Sequence, residues 1–194
     1  MADPGVPRTS LSPARRVGLL MLVVAVLVGV ALLARWWTHP SLFPNHGASM
    51  EMEPRPVGST LHAAVTFPSH STFHGRQQLV TFSGASAHFG RNTAANAEAS
   101  FSICTAGRHD PVGAVFGRLD RHCDSLEPLV EGTEMVYPSP GSREYVVVSI
   151  RTAEPGSVRL TRVDLDYALG VDGFLRRGVD EVGVDFIVHA QNGS

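Results

Sequence analysis

The sequence predicts an all-β domain, an antiparallel β-sandwich, carried outside the cytoplasm behind one N-terminal transmembrane helix. Three observations carry that prediction. Residues 17–34, opening on Val17 and closing on Ala34, are 18 apolar or small residues without a charge. Beyond them come many short β-prone runs separated by turn residues, the pattern of a sheet that must bury one face against a second sheet. There is also no βα alternation and no amphipathic helix longer than about ten residues.

An 18-residue helix rises ~27 Å, close to the ~30 Å hydrocarbon core of a bilayer. Trp36 and Trp37 follow at once, and indole rings are common anchors at the headgroup boundary. The reading is a retained anchor. A signal peptide cut near the small residues Gly29 and Ala31 fits less well, because the apolar run continues through Leu32 and Leu33 and the tryptophans stand where a mature terminus is usually polar. Arg8, Arg15 and Arg16 precede the helix and Arg35 alone follows it closely. The positive-inside rule therefore keeps the N-terminus cytoplasmic and exports the rest, making this a single-pass cell-membrane protein.

The domain layout expected from composition is a cytoplasmic tail over 1–16, an anchor over 17–37, a Pro-rich stalk over 38–57, the sandwich over 58–190 and a flexible end over 191–194. The stalk is inferred from the four prolines of THPSLFPNHGASMEMEPRPV, which stiffen an extended backbone. About 130 residues suffice for one hydrophobic core.

Within the domain, LHAAVTF (61–67) alternates with period two and ends at Pro68. QLVTFS and ASFSIC read as further strands, with the segment between them expected to be a long loop or a short helix over 93–99. Residues 112–116 and the MVY of 135–137 are short strands. REYVVVSIRT is apolar on both faces, which argues for a central position. In SVRLTRVDLDYAL, Val158 and Leu160 share one phase and Val163, Leu165 and Tyr167 the other. A phase slip near Thr161 and Arg162 is what a bulge produces. The last strand, VGVDFIVHA, places Val182, Val184, Phe186 and Val188 inward. The broad architecture expected from these spacings is immunoglobulin-like.

Charge and motifs narrow the function classes. From Arg35 onward, 13 arginines face 17 acidic residues, and no basic stripe interleaved with aromatics occurs, so nucleic acid is not an expected partner. The chain has no lysine and hence no phosphate-binding Gly-x-x-x-x-Gly-Lys loop; no cofactor is expected. Cys104 and Cys123 both lie in the exported part, where an even count favours a disulfide over two buried thiols.

Histidine supplies the metal candidates. His70 and His74 fall in one loop, with His62 and His88 positioned to approach on folding. Met50, Met52 and His46 add ligands suited to copper, and imidazoles also suit zinc, although the spacing matches no defined motif. Ser86 in GASAH lacks the second glycine of a nucleophile elbow. Asp164 and Asp166 share one strand face and read as solvated or paired rather than as glycosidase acids. No catalytic residue is assigned and no enzyme is expected; an envelope hydrolase is the remotest reading.

The stretch GFLRRGVDE is read as a charged connection. There Arg176 and Arg177, together with Arg162, make a recognition edge, arginine being favoured at interfaces for its planar five-donor head. The expected function is a membrane-anchored accessory or interaction domain. Its partners are the bilayer and either a second envelope protein or another copy of the chain. The alternative is a copper- or zinc-binding module using the loop histidines.

Overall fold

The computed structural model describes residues 13–38, 42–43, 48–66, 78–90, 96–106, 113–137, 144–171 and 174–192. The chain divides into a helical unit ending at Thr38 and a β unit from His39 onward.

Helix α1 runs Pro13–Thr38. Proline suits a first helical turn, where its missing N–H has no partner to lose. Val17–Trp37 is long and apolar enough to cross a membrane, a property a signal sequence shares. Its 21 residues rise ~31 Å, so the helix includes Trp36 and Trp37 and matches a hydrocarbon core more fully than the bare apolar run. Its large apolar side chains are exposed on every side, as lipid-facing side chains are.

Among the described residues of the second unit the strands are β1 (Ala48–Glu51), β2 (Arg55–Pro56), β3 (Thr60–Ala64), β4 (Gln78–Phe89), β5 (Ala97–Ala106), β6 (Ala114–Phe116), β7 (Cys123–Pro128), β8 (Glu134–Tyr137), β9 (Glu144–Thr152), β10 (Gly156–Val171) and β11 (Phe174–Gln191). They form two sheets. One has the order β1-β11-β10-β4-β8, with β2 also paired to β11; the other has the order β6-β3-β9-β5-β7.

Both sheets contribute to one core. Val80, Phe82, Val163, Leu165, Val182 and Phe186 from the first meet Leu61, Ala63, Ile103, Val146, Val148 and Ile150 from the second. Strand β9 is central in its sheet and is apolar on both faces for a visible reason. Tyr145 and Val147 project away from the main core and bury against Ala64, Cys104, Ala106, Leu119 and Cys123. The Cys104–Cys123 disulfide lies in this outer cluster and ties β5 to the start of β7.

The bulge in β10 sits where the phase slips: register shifts between Leu160 and Arg162 against both β11 and β4. Gly90 lies beside it, donating its N–H to the Arg159 carbonyl at 2.8 Å. A Cβ there would lie 3.0 Å from Thr161 Cγ2, tighter than ordinary contact, so glycine lets the two strands approach without displacing that side chain.

Four expectations are corrected. First, the proline-rich stretch is not simply a stalk. Leu42 and Phe43 are buried in the core, and β1 and β2 add to the sheet. The prolines are compatible with this because Pro54 falls between the strands and Pro56 ends β2 at a sheet edge, where its missing N–H costs no ladder bond. Second, the sheets are not wholly antiparallel, since β1 and β2 run parallel to β11. Third, the loop or helix expected after QLVTFS is strand through Phe89, with Ala85, Ala87 and Phe89 packed on the core; of the proposed 93–99 helix, residues 93–95 lie outside the described residues and 97–99 belong to β5. Fourth, the charged connection read in GFLRRGVDE is the first half of β11, paired with β10 as far as Val171 opposite Phe174.

Candidate functional site

The polar side chains that the fold organises fall into three groups. The first joins the start of the domain to its longest hairpin. Alternation along β11 turns Asp180 inward, in phase with Val182 and Val184, and Asp180 is 7 % exposed. A buried carboxylate must be fully hydrogen-bonded. Here its Oδ2 accepts from the backbone N–H of Leu42 at 2.6 Å, the N–H of Phe43 at 2.7 Å and the Tyr167 hydroxyl at 2.8 Å. Leu42 N–H also reaches Tyr167 Oη at 3.1 Å. Phe43 then fills the core beside Phe82, Tyr137 and Tyr167, with ring centroids 6.0, 5.0 and 5.3 Å away. Burial first, then the Asp180 hydrogen bond, pushes the Tyr167 phenol far above its ordinary value; burial also raises Tyr137. Sequence reasoning missed Asp180, although continuing the period-two phase of Val182, Val184 and Phe186 backward would have placed it inside.

The second group lies on the outer face of the six-stranded sheet. The bulge puts Thr161 and Arg162 both outward and aims the Arg162 guanidinium between two acids. Asp164 and Glu181 are direct cross-strand partners, an unfavourable like-charge pairing unless a cation intervenes. Arg162 supplies that cation, with Nη1 3.4 Å from Glu181 Oε2 and Nη2 3.3 Å from Asp164 Oδ2. Arg162 Nε and Asp164 Oδ1 approach to 2.9 Å as an ion pair, but their angle does not make a hydrogen bond, and both atoms are buried.

His88 Nε2 lies 2.6 Å from Asp164 Oδ2. A carboxylate only accepts, so Nε2 carries the proton. The 3.3 Å approach of Arg162 Nη2 to that same nitrogen is therefore packing and not a second hydrogen bond. Along the same face, Arg159 forks onto Asp185 at 2.6 and 2.8 Å, and His189 meets Glu51 at 3.1 Å.

The third group pins the opposite sheet. His62 Nε2 is 2.9 Å from the Gly117 carbonyl and therefore donates, which leaves Nδ1 to accept from the Ser149 hydroxyl at 2.7 Å. Burial lowers the His62 pKa, partly opposed by the Gly117 contact.

These positions separate several residues that the sequence reading grouped. Leu61 and Ala63 turn into the core, so His62 faces outward from the five-stranded sheet. Ala87 and Phe89 turn in, so His88 faces outward from the other. The two imidazoles lie on opposite outer faces and cannot share one ion. His70 and His74 lie outside the described residues, and among the described residues no three His, Cys, Asp or Glu side chains are placed to hold one metal ion.

Arg176 and Arg177 alternate across β11. Arg176 shares the inward phase of Asp180 and acts electrostatically on Tyr167, whereas Arg177 is exposed on the outer face. Arg177 pairs with Ala168 and Arg162 with Gly183, so the two outward arginines stand six residues apart along β11, ~20 Å. Arg162 is thus the centre of a surface cluster, and Arg177 belongs to a different region of that face. Ser86, the cross-strand partner of Asp164, is exposed on it.

No protein-family model matches the chain, and no curated protein or solved structure matches it.

Proposed function

We propose that the chain is a single-pass membrane protein, N-terminus inside, whose exported β-sandwich is a protein-interaction domain that binds through the outer face of the six-stranded sheet. The two sheets over one core give the sandwich reading, immunoglobulin-like in the broad sense only. The apolar span of Val17–Trp37 supports an anchor, and the arginine bias ahead of it supports the orientation. The Cys104–Cys123 bond supports an oxidising compartment.

The observation that carries the interaction reading is Arg162. A bulge fixes its backbone, Asp164 and Glu181 fix its guanidinium, and its side chain is still 39 % exposed. A cation held in one orientation loses little further rotamer freedom when a partner carboxylate or carbonyl engages it. The partner is a second envelope protein or another copy of this chain.

A photo-crosslinking residue at Thr161, in full-length protein in its own membranes, tests this. One discrete adduct that Arg162→Glu abolishes is the expected result. An adduct unchanged by Arg162→Glu, or none, contradicts the assignment.

A further inference from the structure

We propose that protonation of His88 releases the Arg162 guanidinium, so that docking through the outer face of the six-stranded sheet weakens as pH falls from about 8 to about 5. This rests on the interaction reading above and adds its regulation. The ground is a contest for one carboxylate. His88 Nε2 lies 2.6 Å from Asp164 Oδ2, whereas Arg162 Nη2 reaches the same oxygen only at 3.3 Å. Arg162 Nε and Asp164 Oδ1 stand 2.9 Å apart without making a hydrogen bond. Arg162 therefore holds Asp164 without the parallel two-bond fork that an arginine–carboxylate pair can form. Its other hold, Glu181, is 3.4 Å away, with a side chain 65 % exposed.

The imidazole also lies against the guanidinium. Arg162 Nη2 is 3.3 Å from Nε2 and 3.5 Å from Nδ1, nearly equidistant, so it sits alongside the ring rather than on one lone pair. A neutral ring tolerates a cation there. A protonated ring is a donor at both nitrogens and carries a full positive charge. Like charges at that separation shift an equilibrium several-fold even at the dielectric of water. The same proton turns the His88–Asp164 contact into a charge-assisted bond, the stronger kind. His88 keeps the carboxylate, and Arg162, with the longer contacts, is the group that leaves.

The groups around His88 leave Asp164 as the acceptor that both cations share. Among the described residues, β10 presents Arg162 and Asp164 to it, with Asp166 one outward position farther along. Strand β11 presents Glu181 beyond Asp164, and the neighbouring Arg159–Asp185 pair is closed on itself at 2.6 and 2.8 Å. On β4 the outward neighbour is the neutral Ser86, and β8 pairs with β4 only over residues 78–81. A released guanidinium must be ordered again when a partner binds, so the advantage of a fixed cation is lost.

The test uses full-length protein with isotope-labelled arginine in phospholipid nanodiscs. The steady-state Overhauser effect at Arg162 Nε reports the order of that side chain, and Arg162→Lys identifies its resonance. Expected is a rigid Nε at about pH 8 and, at about pH 5, order reduced to that of the exposed Arg177. His88→Gln should keep Arg162 rigid at both, and His88→Arg, a fixed charge at the same place, should leave it mobile at both. His189→Gln, which removes the imidazole beside Glu51 on the same face, should change nothing. Arg162 rigid throughout, or a pH response that survives in His88→Gln, overturns the proposal.

The photo-crosslink at Thr161, taken over the same pH range, reads the docking. Its yield should fall roughly two- to tenfold, the range for ordering one long side chain. A yield indifferent to pH while Arg162 is released overturns the proposed regulation. No adduct at any pH, with the release intact, refutes the interaction reading alone.

Discussion

Removing the Asp180 carboxylate should release the segment that opens the domain. In Asp180→Ala, the Phe43 amide and the Tyr167 hydroxyl lose their buried acceptor, while the Leu42 amide retains Tyr167 Oη at 3.1 Å. A buried donor left without an acceptor costs about 1–3 kcal/mol, and the Phe43 amide alone sets a loss of up to about 3 kcal/mol. The loss has a ceiling. If residues 42–43 detach instead, water satisfies the amides and the cost becomes the burial of Phe43, also about 3 kcal/mol. Asp180→Asn keeps one acceptor oxygen and should lose about 1 kcal/mol. The assay is urea unfolding of the full chain followed by tyrosine near-ultraviolet dichroism. The three tyrosines all lie in the β unit and are buried, whereas both tryptophans lie in helix α1. Hydrogen exchange over residues 42–43 in the same samples separates detachment from global unfolding. A loss below about 0.5 kcal/mol in Asp180→Ala, with those amides still protected, would refute a stabilising role for the Asp180 hydrogen bonds.

Three further outcomes follow from the same structure. Cys104→Ser with Cys123→Ser opens a loop of sequence separation 19, which the chain-entropy account values at about 3 kcal/mol, read as a lower urea midpoint. The His62 pKa is held below its ordinary value of 6.5, so the unfolded chain binds the proton more readily than the native one. Its contribution is complete above the unfolded value and is lost as pH falls toward the folded one; the fall in midpoint over that window should be shallower in His62→Gln. Tyr137 and Tyr167 are pushed above their ordinary value of 10.0, so their phenols should ionise, by tyrosinate absorbance, only as the β unit unfolds in alkali.

Much of this fold was legible wherever one physical signal dominated. Alternation located β3, β9 and the second half of β11, and the phase slip located the bulge, because period two leaves no latitude once one face is buried. Cysteine spacing and compartment located the disulfide. The misreadings share a cause: local composition spoke for solvent while tertiary contacts provided cover. Prolines and polar residues over 38–57 read as a stalk, yet two apolar residues, Leu42 and Phe43, are held inside by a carboxylate 138 and 137 positions away. Residues 176–181 read as a connection because Asp180, at an inward position, looks like a solvated charge until its three donors are known. The candidate site was less legible still. Arg162 was singled out, but its companions Asp164, Glu181 and His88 come from three strands, and only the register brings them together. Arg176 and Arg177 are adjacent in sequence and lie on opposite faces of one strand, which a loop assignment conceals.

The proposed topology, helix α1 spanning the membrane and the β unit exported, is put to the test by thiol labelling in right-side-out membrane vesicles. Val130→Cys provides a label site in the β unit, 60 % exposed, and Ser10→Cys provides one ahead of the helix. A membrane-impermeant maleimide should modify Val130→Cys in sealed vesicles and Ser10→Cys only after detergent. The reverse pattern, or Val130→Cys recovered in the soluble fraction without the residues of the helix, would contradict it.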